Sequence, residues 1–261
     1  MILSKVRLKW KLTFKALELV FLILLLKLVA VRFNLEIFSL NSLYGAIVSG
    51  NVFLIGFLTT GVLSDYKESE KLPNEIAMCL DAITDELIIA KGRDNSEISK
   101  EGLGHISLLS KSIHKWFFRE IRTREIFSMI SKLNDYFLVL EKSVPPNFIV
   151  RLKQEQSNLR RFINRIHTIR ETSFNASGYA IAEIITTLMC VALIFTGIDP
   201  WFEGLFFLAF VSFMTIYMVI FIKDLDNPFG YYNHDNLSEN ISLKSIDEVV
   251  ERIEEKTTVA K

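Results

Sequence analysis

The chain is poor in the residues from which active sites and metal centres are built. Its 261 residues include 2 cysteines and 4 histidines. Cys79 and Cys190 are too far apart in sequence for a CxxC pair, and His105, His114, His167 and His234 form no HExxH motif. GxSxG, GxxxxGK and GxGxxG are also missing. Each histidine therefore reads as an ordinary solvated or core residue, and no cofactor, resident metal or enzymatic activity is expected. Lys plus Arg and Asp plus Glu number 30 each, so the formal charge is zero. That balance lacks the strong positive excess of a nucleic-acid binder. No stretch alternates apolar and polar residues at any length, and no repeat of fixed period runs through the chain, which excludes a β-rich or solenoid design.

Hydrophobic residues are abundant: they make up 50% of the chain and are clustered. A helix needs roughly 20 apolar residues to cross a bilayer core. Four stretches approach that length, 16–33, 42–64, 176–198 and 201–222. The first has basic residues ahead of it, as a signal peptide would, but it lacks a small-x-small cleavage site and reads as a retained span. Lys5, Arg7, Lys9, Lys11 and Lys15 precede span one, and a Lys/Arg-rich region separates spans two and three, while RFNLEIFSLN and GIDPW carry little positive charge. The positive-inside rule then puts both termini and residues 65–175 in the cytoplasm. A disulfide between Cys79 in that region and Cys190 inside a span is not expected.

Residues 65–175 read as helices. Ile76, Leu80, Ile83 and Leu87 recur at helical spacing, away from Asp81, Asp85 and Glu86. A loop is expected over GRDNSEISKEGLG, residues 92–104. A second helical segment should run from His105 to Lys142, before Pro145-Pro146. Leu159, Phe162, Ile166 and Ile169 form a stripe opposite Arg160, Arg161 and Arg165, on a helix whose spacing allows it to run on into span three. The basic segment RLKQEQSNLRRFINRIHTIR contains interleaved Glu and lies just before a span, which favours a juxtamembrane electrostatic role over nucleic acid. SIDEVVERIEEK is a short amphipathic helix suited to docking on the bundle or on a neighbour.

Span two stands out because it holds Gly45, Gly50, Gly56 and Gly61 with Ser49, Asn51, Thr59 and Thr60. Small residues allow close helix approach. Ser49, Phe53, Phe57 and Thr60 share one helical face. Two readings fit that face: the phenylalanines pack against span one, or the face lines a narrow apolar constriction of a pore. Lys27 and Glu183 are ionisable groups at membrane depth, either functional or snorkelling toward the span ends.

Two motifs resemble the bestrophin ion channels. NPFG follows the fourth span, then a polar run and NISLKSIDEV; in span two, FLIGFLTTGVLSDYKESEKLP resembles the bestrophin pore helix. The resemblance implies an all-α integral membrane protein with four transmembrane helices per subunit, a helical cytoplasmic region and homopentameric self-assembly. Phe53 and Phe57 then match apolar neck positions, with Ser49 one turn earlier and Thr60 one turn later. Chloride or another anion is the favoured cargo, although some bacterial relatives pass cations. The family's Arg-Trp-Trp after the neck is replaced by Ser64-Asp65-Tyr66. In Asn227-Pro228-Phe229-Gly230, the asparagine offers a local side-chain bond, proline ends the helix, and glycine can take positive φ. Of the acidic run that helps bind calcium in animal members, only Asp235 matches, Tyr232 standing at another ligand position. Hard cations want 6–8 oxygens, so calcium gating is not expected.

Chain organisation follows: an N-terminal part with spans one and two (1–64), a cytoplasmic region (65–175), spans three and four (176–222) and a cytoplasmic tail (223–261). The protein is expected in the cell or inner membrane, its partners being copies of itself, inorganic ions and the lipid bilayer. Two rival readings remain: a secondary transporter using Glu183 and Lys27, or a membrane-anchored scaffold or sensor that conducts nothing.

Overall fold

Helical spacing in the middle region and long apolar runs at either end leave the backbone one economical solution, since a helix satisfies its own hydrogen bonds in water and in lipid alike. The computed structural model describes residues 10–39, 41–94, 97–172, 176–226, 228–231 and 240–259. In chain order the elements are α1 (Lys11–Arg32), β1 (Phe38–Ser39), α2 (Ser42–Ser69), α3 (Leu72–Asp94), α4 (Glu97–Phe117), α5 (Thr123–Leu140), α6 (Pro146–Glu171), α7 (Ala176–Ile194), β2 (Thr196–Gly197), α8 (Trp201–Leu225) and α9 (Lys244–Val259). The strands are two-residue pieces paired in parallel, Phe38 with Thr196 and Ser39 with Gly197.

The chain divides into two compact units. The first contains α1, most of α2, α7 and α8, with α1 lying on α8 and α7, and α7 on α8. Among the described residues, three segments are long and apolar enough to cross a membrane, those containing α2, α7 and α8. The expected four-span count is therefore met by three on length and composition. α1 is 22 residues long, but any 18-residue window of it holds Lys15, Glu18 and Lys27.

The second unit is a helical bundle of α3, α4, α5, α6 and α9. The expected α3 stripe is its core: Ile76, Leu80, Ile83 and Leu87 are fully buried. On α6 the buried line is Leu152, Gln156, Leu159, Ile163 and Ile166. The stripe is thus rotated from the expected one. Phe162 is only partly buried and lies under the Arg161 guanidinium, 5.0 Å from ring centroid to Cζ.

Two boundaries differ from the sequence reading. The loop expected over 92–104 is helix as far as Asp94 and again from Glu97. Gly92 and Gly104 sit inside helices, where a glycine weakens but does not stop the element. The segment expected as one helix from His105 to Lys142 breaks between Phe117 and Thr123, with Arg119 at φ 61. No proline or glycine marks that break. α6 ends at Glu171 with Thr172 extended, so it does not pass unbroken into α7.

The amphipathic tail docks within the second unit. α9 buries Ile246, Val249 and Ile253 against α3 and α4. Lys256 reaches Asp81 at 2.8 Å and Asp85 at 2.6 Å, and Arg252 reaches Asp81 at 3.2 Å.

Candidate pore-lining face

Helix α2 presents two unlike faces. Asn51, Ile55, Leu58 and Val62 are buried. Ile55, Leu58 and Val62 pack with Tyr179 and Ala182 of α7 and Ile222 and Leu225 of α8. A polar seam continues the contact: the Asn51 amide donates to Thr186 Oγ1 at 3.2 Å, and Tyr44 donates to the Met189 carbonyl at 3.4 Å. Sequence reading noted Asn51 as polar but did not assign it this role. The signal was there, because Asn51 stands one turn before Ile55 on the same stripe.

An α-helix turns about 100° per residue, which puts Ser49, Phe53, Phe57 and Thr60 on the opposite side. They are uncovered in the single chain, Phe53 77% and Phe57 68% exposed. Neither phenylalanine is therefore packed away beneath α1. Ser49 and Thr60 return their hydroxyls to the carbonyls of Gly45 and Gly56, at 2.9 and 3.0 Å. That bond satisfies the hydroxyl hydrogen and leaves both lone pairs of the oxygen able to accept. A Cβ placed on Gly45, Gly50 or Gly56 would meet nothing within 4 Å, so these glycines are not explained by packing within the described chain.

Lys27 does not snorkel. Its ammonium is buried and donates to the Ile194 and Thr196 carbonyls at 3.2 and 2.6 Å and to Glu36 at 2.5 Å. A cation there is favoured twice, by the carboxylate and by the negative end of α7. Glu36 was not singled out in the sequence. Glu183 pairs with Lys223 of α8, both partly exposed.

No family model matches the sequence, and no curated protein matches it either. The fold, however, recurs in solved structures. A tyrosine-to-alanine variant of a bacterial bestrophin homologue from Klebsiella pneumoniae aligns with TM-score 0.76 at 13% identity, over 94% of this chain and 99% of that one. A leucine-to-threonine variant of that homologue gives 0.76 at 14% identity, over 95% and 99%. A tryptophan-to-alanine variant gives 0.73 at 13%, over 95% and 98%. The fold is that of the bestrophins.

Within this bestrophin fold, α8 ends at Leu225, and Asp226 accepts a hydrogen bond from Tyr179 at 2.7 Å. Pro228 follows, buried, in a turn. Phe229 is fully buried in the second unit, its ring 6.1 Å from that of Phe117. Tyr231 packs edge-on to Phe117 and donates to the Ile241 carbonyl. Gly230 does not use its access to positive φ: no described glycine has positive φ. The turn is held by proline and by the burial of Phe229, so it does not require a left-handed residue. Asn227, Tyr232 and Asp235 lie outside the described residues.

Proposed function

We propose that the protein is a bestrophin-type ion channel, a homopentamer in which α2 of each subunit lines a central pathway. The observation that carries this reading is the uncovered face of α2. One side of that helix is already packed on α7 and α8. The other offers two phenylalanines, two hydroxyl side chains and glycines with open space beside them. Small residues suit close approach by a neighbouring subunit's helix, and a ring of phenylalanines suits a constriction that gates by dewetting. Burial and pairing of Lys27 with Glu36 remove the main obstacle to α1 serving as the fourth span.

Both Lys27 and Glu183 have partners within their own unit, which weighs against a transporter in which either carries a proton or substrate. The α2 face bears no charge, so the neck itself selects neither sign. Chloride is assigned from the resemblance alone. Single-channel recording of the purified protein in planar bilayers, under an asymmetric potassium chloride gradient, tests the proposal. Discrete steps with a reversal potential on the chloride side are expected. Steps reversing toward potassium would keep the channel and replace its cargo. A silent bilayer, from protein shown to be folded and assembled, would favour the scaffold reading.

A further inference from the structure

The turn between α4 and α5 borders an open cleft of about 460 Å³ whose described lining is mostly basic. Arg119, Arg122, Arg124 and Arg170 line it together with His167, and among the described residues the one carboxylate on its wall is Glu171, which pairs with Arg119 at 3.2 Å. Glu120 and Glu125 flank these residues in sequence without lining the cleft. With Arg119 paired to Glu171, four guanidinium groups against one carboxylate on the described lining still leave a local excess of positive charge in a chain of zero net charge.

The walls are built rather than incidental. Arg170 donates to the Trp116 and Phe117 carbonyls at 3.2 and 3.4 Å, and its Cζ lies 4.9 Å above the Trp116 ring. Trp116 Nε1 donates to the Thr123 hydroxyl at 3.0 Å, and that hydroxyl lies 3.2 Å from His167 Nδ1. The chain from α4 through α5 to α6 therefore fixes the cleft floor. Helix α5 begins at its rim. Its N-cap residue is Arg122, which provides no side-chain cap. This 18-residue helix starts without a side-chain cap, so the positive end of its dipole at the rim favours an anion, offset in part by Glu125 in its first turn.

We propose that this cleft binds a phosphate group. Arginine suits that task because its planar fork meets phosphate oxygens in pairs. Two sources of the group fit the surroundings. One is an anionic lipid headgroup: Glu171 stands five residues before Ala176, the first residue of span α7, and five residues reach at most about 18 Å. The other is a soluble phosphate compound. The proposal concerns binding and does not depend on conduction.

The test uses the full chain in neutral detergent, titrated separately with inorganic phosphate and with short-chain phosphatidic acid, binding being read by thermal shift. Saturable binding of phosphatidic acid is expected, with R122Q/R124Q lowering the apparent affinity at least about tenfold, the scale of losing charge-assisted hydrogen bonds. A control, R160Q/R161Q, should bind as the unaltered protein does. Glu171→Gln removes the opposing charge and should tighten binding several-fold. This gain cannot arise from misfolding. Comparable affinity for inorganic phosphate assigns the soluble source; binding of the lipid alone assigns the headgroup. Failure of both probes to bind overturns the proposal, as does equal loss in the control or no tightening in the Glu171 variant.

Discussion

Helices α4 and α8 use opposite residues for opposite purposes. In α4, 11 of 21 residues are buried, and they include Leu103, Ile106, Leu109, Ile113, Trp116 and Phe117. In α8 only 6 of 25 are buried, among them Gly204, Ser212 and Thr215, while Phe202, Phe206 and Phe210 face outward. A helix in water hides its large apolar side chains because water drives them together. A helix in lipid has no such drive, so small and weakly polar side chains make its contacts and large ones face the tails. The inversion between the two units is a physical signature of two solvents.

The contrast can be broken most severely at phenylalanine. Phe229→Ala should destabilise the second unit by about 3–5 kcal/mol, the usual cost of emptying a fully buried aromatic site. Phe206→Ala, on the outward face of α8, should leave the thermal midpoint in detergent nearly unchanged. Equal losses from the two would mean that outward phenylalanines in α8 are covered by something other than lipid. Lys27 gives a smaller effect of another kind. Lys27→Met leaves Glu36 and two carbonyls without their donor. The expected loss is roughly 2–3 kcal/mol, below the full cost of breaking a buried pair, because Glu36 is 32% exposed. Adding Glu36→Gln should recover part of it, measured as a double-mutant cycle in chemical denaturation. No recovery would mean that the carbonyl bonds, rather than the ion pair, hold the lysine.

The same two solvents decide what was legible in the sequence. In the bundle, water imposes an amphipathic period, so Ile76, Leu80, Ile83 and Leu87 identified their own core. In the membrane unit nearly every position is apolar, and periodicity cannot say which face of α2 packs. The glycines and hydroxyls around Phe53 and Phe57 marked one face as unusual but left packing on span one and lining a pore both open. The break at Arg119 left no local signal, since Trp116–Thr123 contains no breaker. It is imposed by tertiary contacts, with Arg170 holding the Trp116 and Phe117 carbonyls. A glycine after a helix is able to form a left-handed cap, but Gly230 does not, and nothing in the sequence signalled that Phe229 would be fully buried. Lys27 was judged from its distance to the span end, and its partner Glu36 lay in a short connection with no motif to flag it.

Cys79 sharpens the comparison with little effect at neutral pH. Burial, reinforced by a hydrogen bond with Glu155, raises its thiol from the ordinary 9.0 to about 12. The folded state therefore holds the proton after the unfolded chain has lost it. The thiol's contribution to stability is complete below pH 9 and declines as the pH climbs from 9 toward about 12. In a Cys190→Ser background, maleimide at mildly alkaline pH should label Cys79 only after unfolding. Prompt labelling of the native protein would mean that this core opens far more readily than its packing implies.

The smallest effect on stability should come from the residues with the largest proposed effect on function. Phe53 and Phe57 contact little within the subunit, so Phe53→Ala with Phe57→Ala should shift the thermal midpoint by at most a few degrees. Removing two buried phenylalanines from the helical bundle of the second unit would unfold it. If the exposed face of α2 lines the pathway, the same double change widens and wets the neck, and unitary conductance should rise several-fold in planar bilayers. Unchanged conductance with intact assembly would move these side chains out of the pathway and into lipid. A large loss of stability with dissociation of the oligomer would make them contacts between subunits. Stability and conductance therefore have to be measured on one preparation, because only their separation distinguishes a surface that faces ions from one that faces lipid or another subunit.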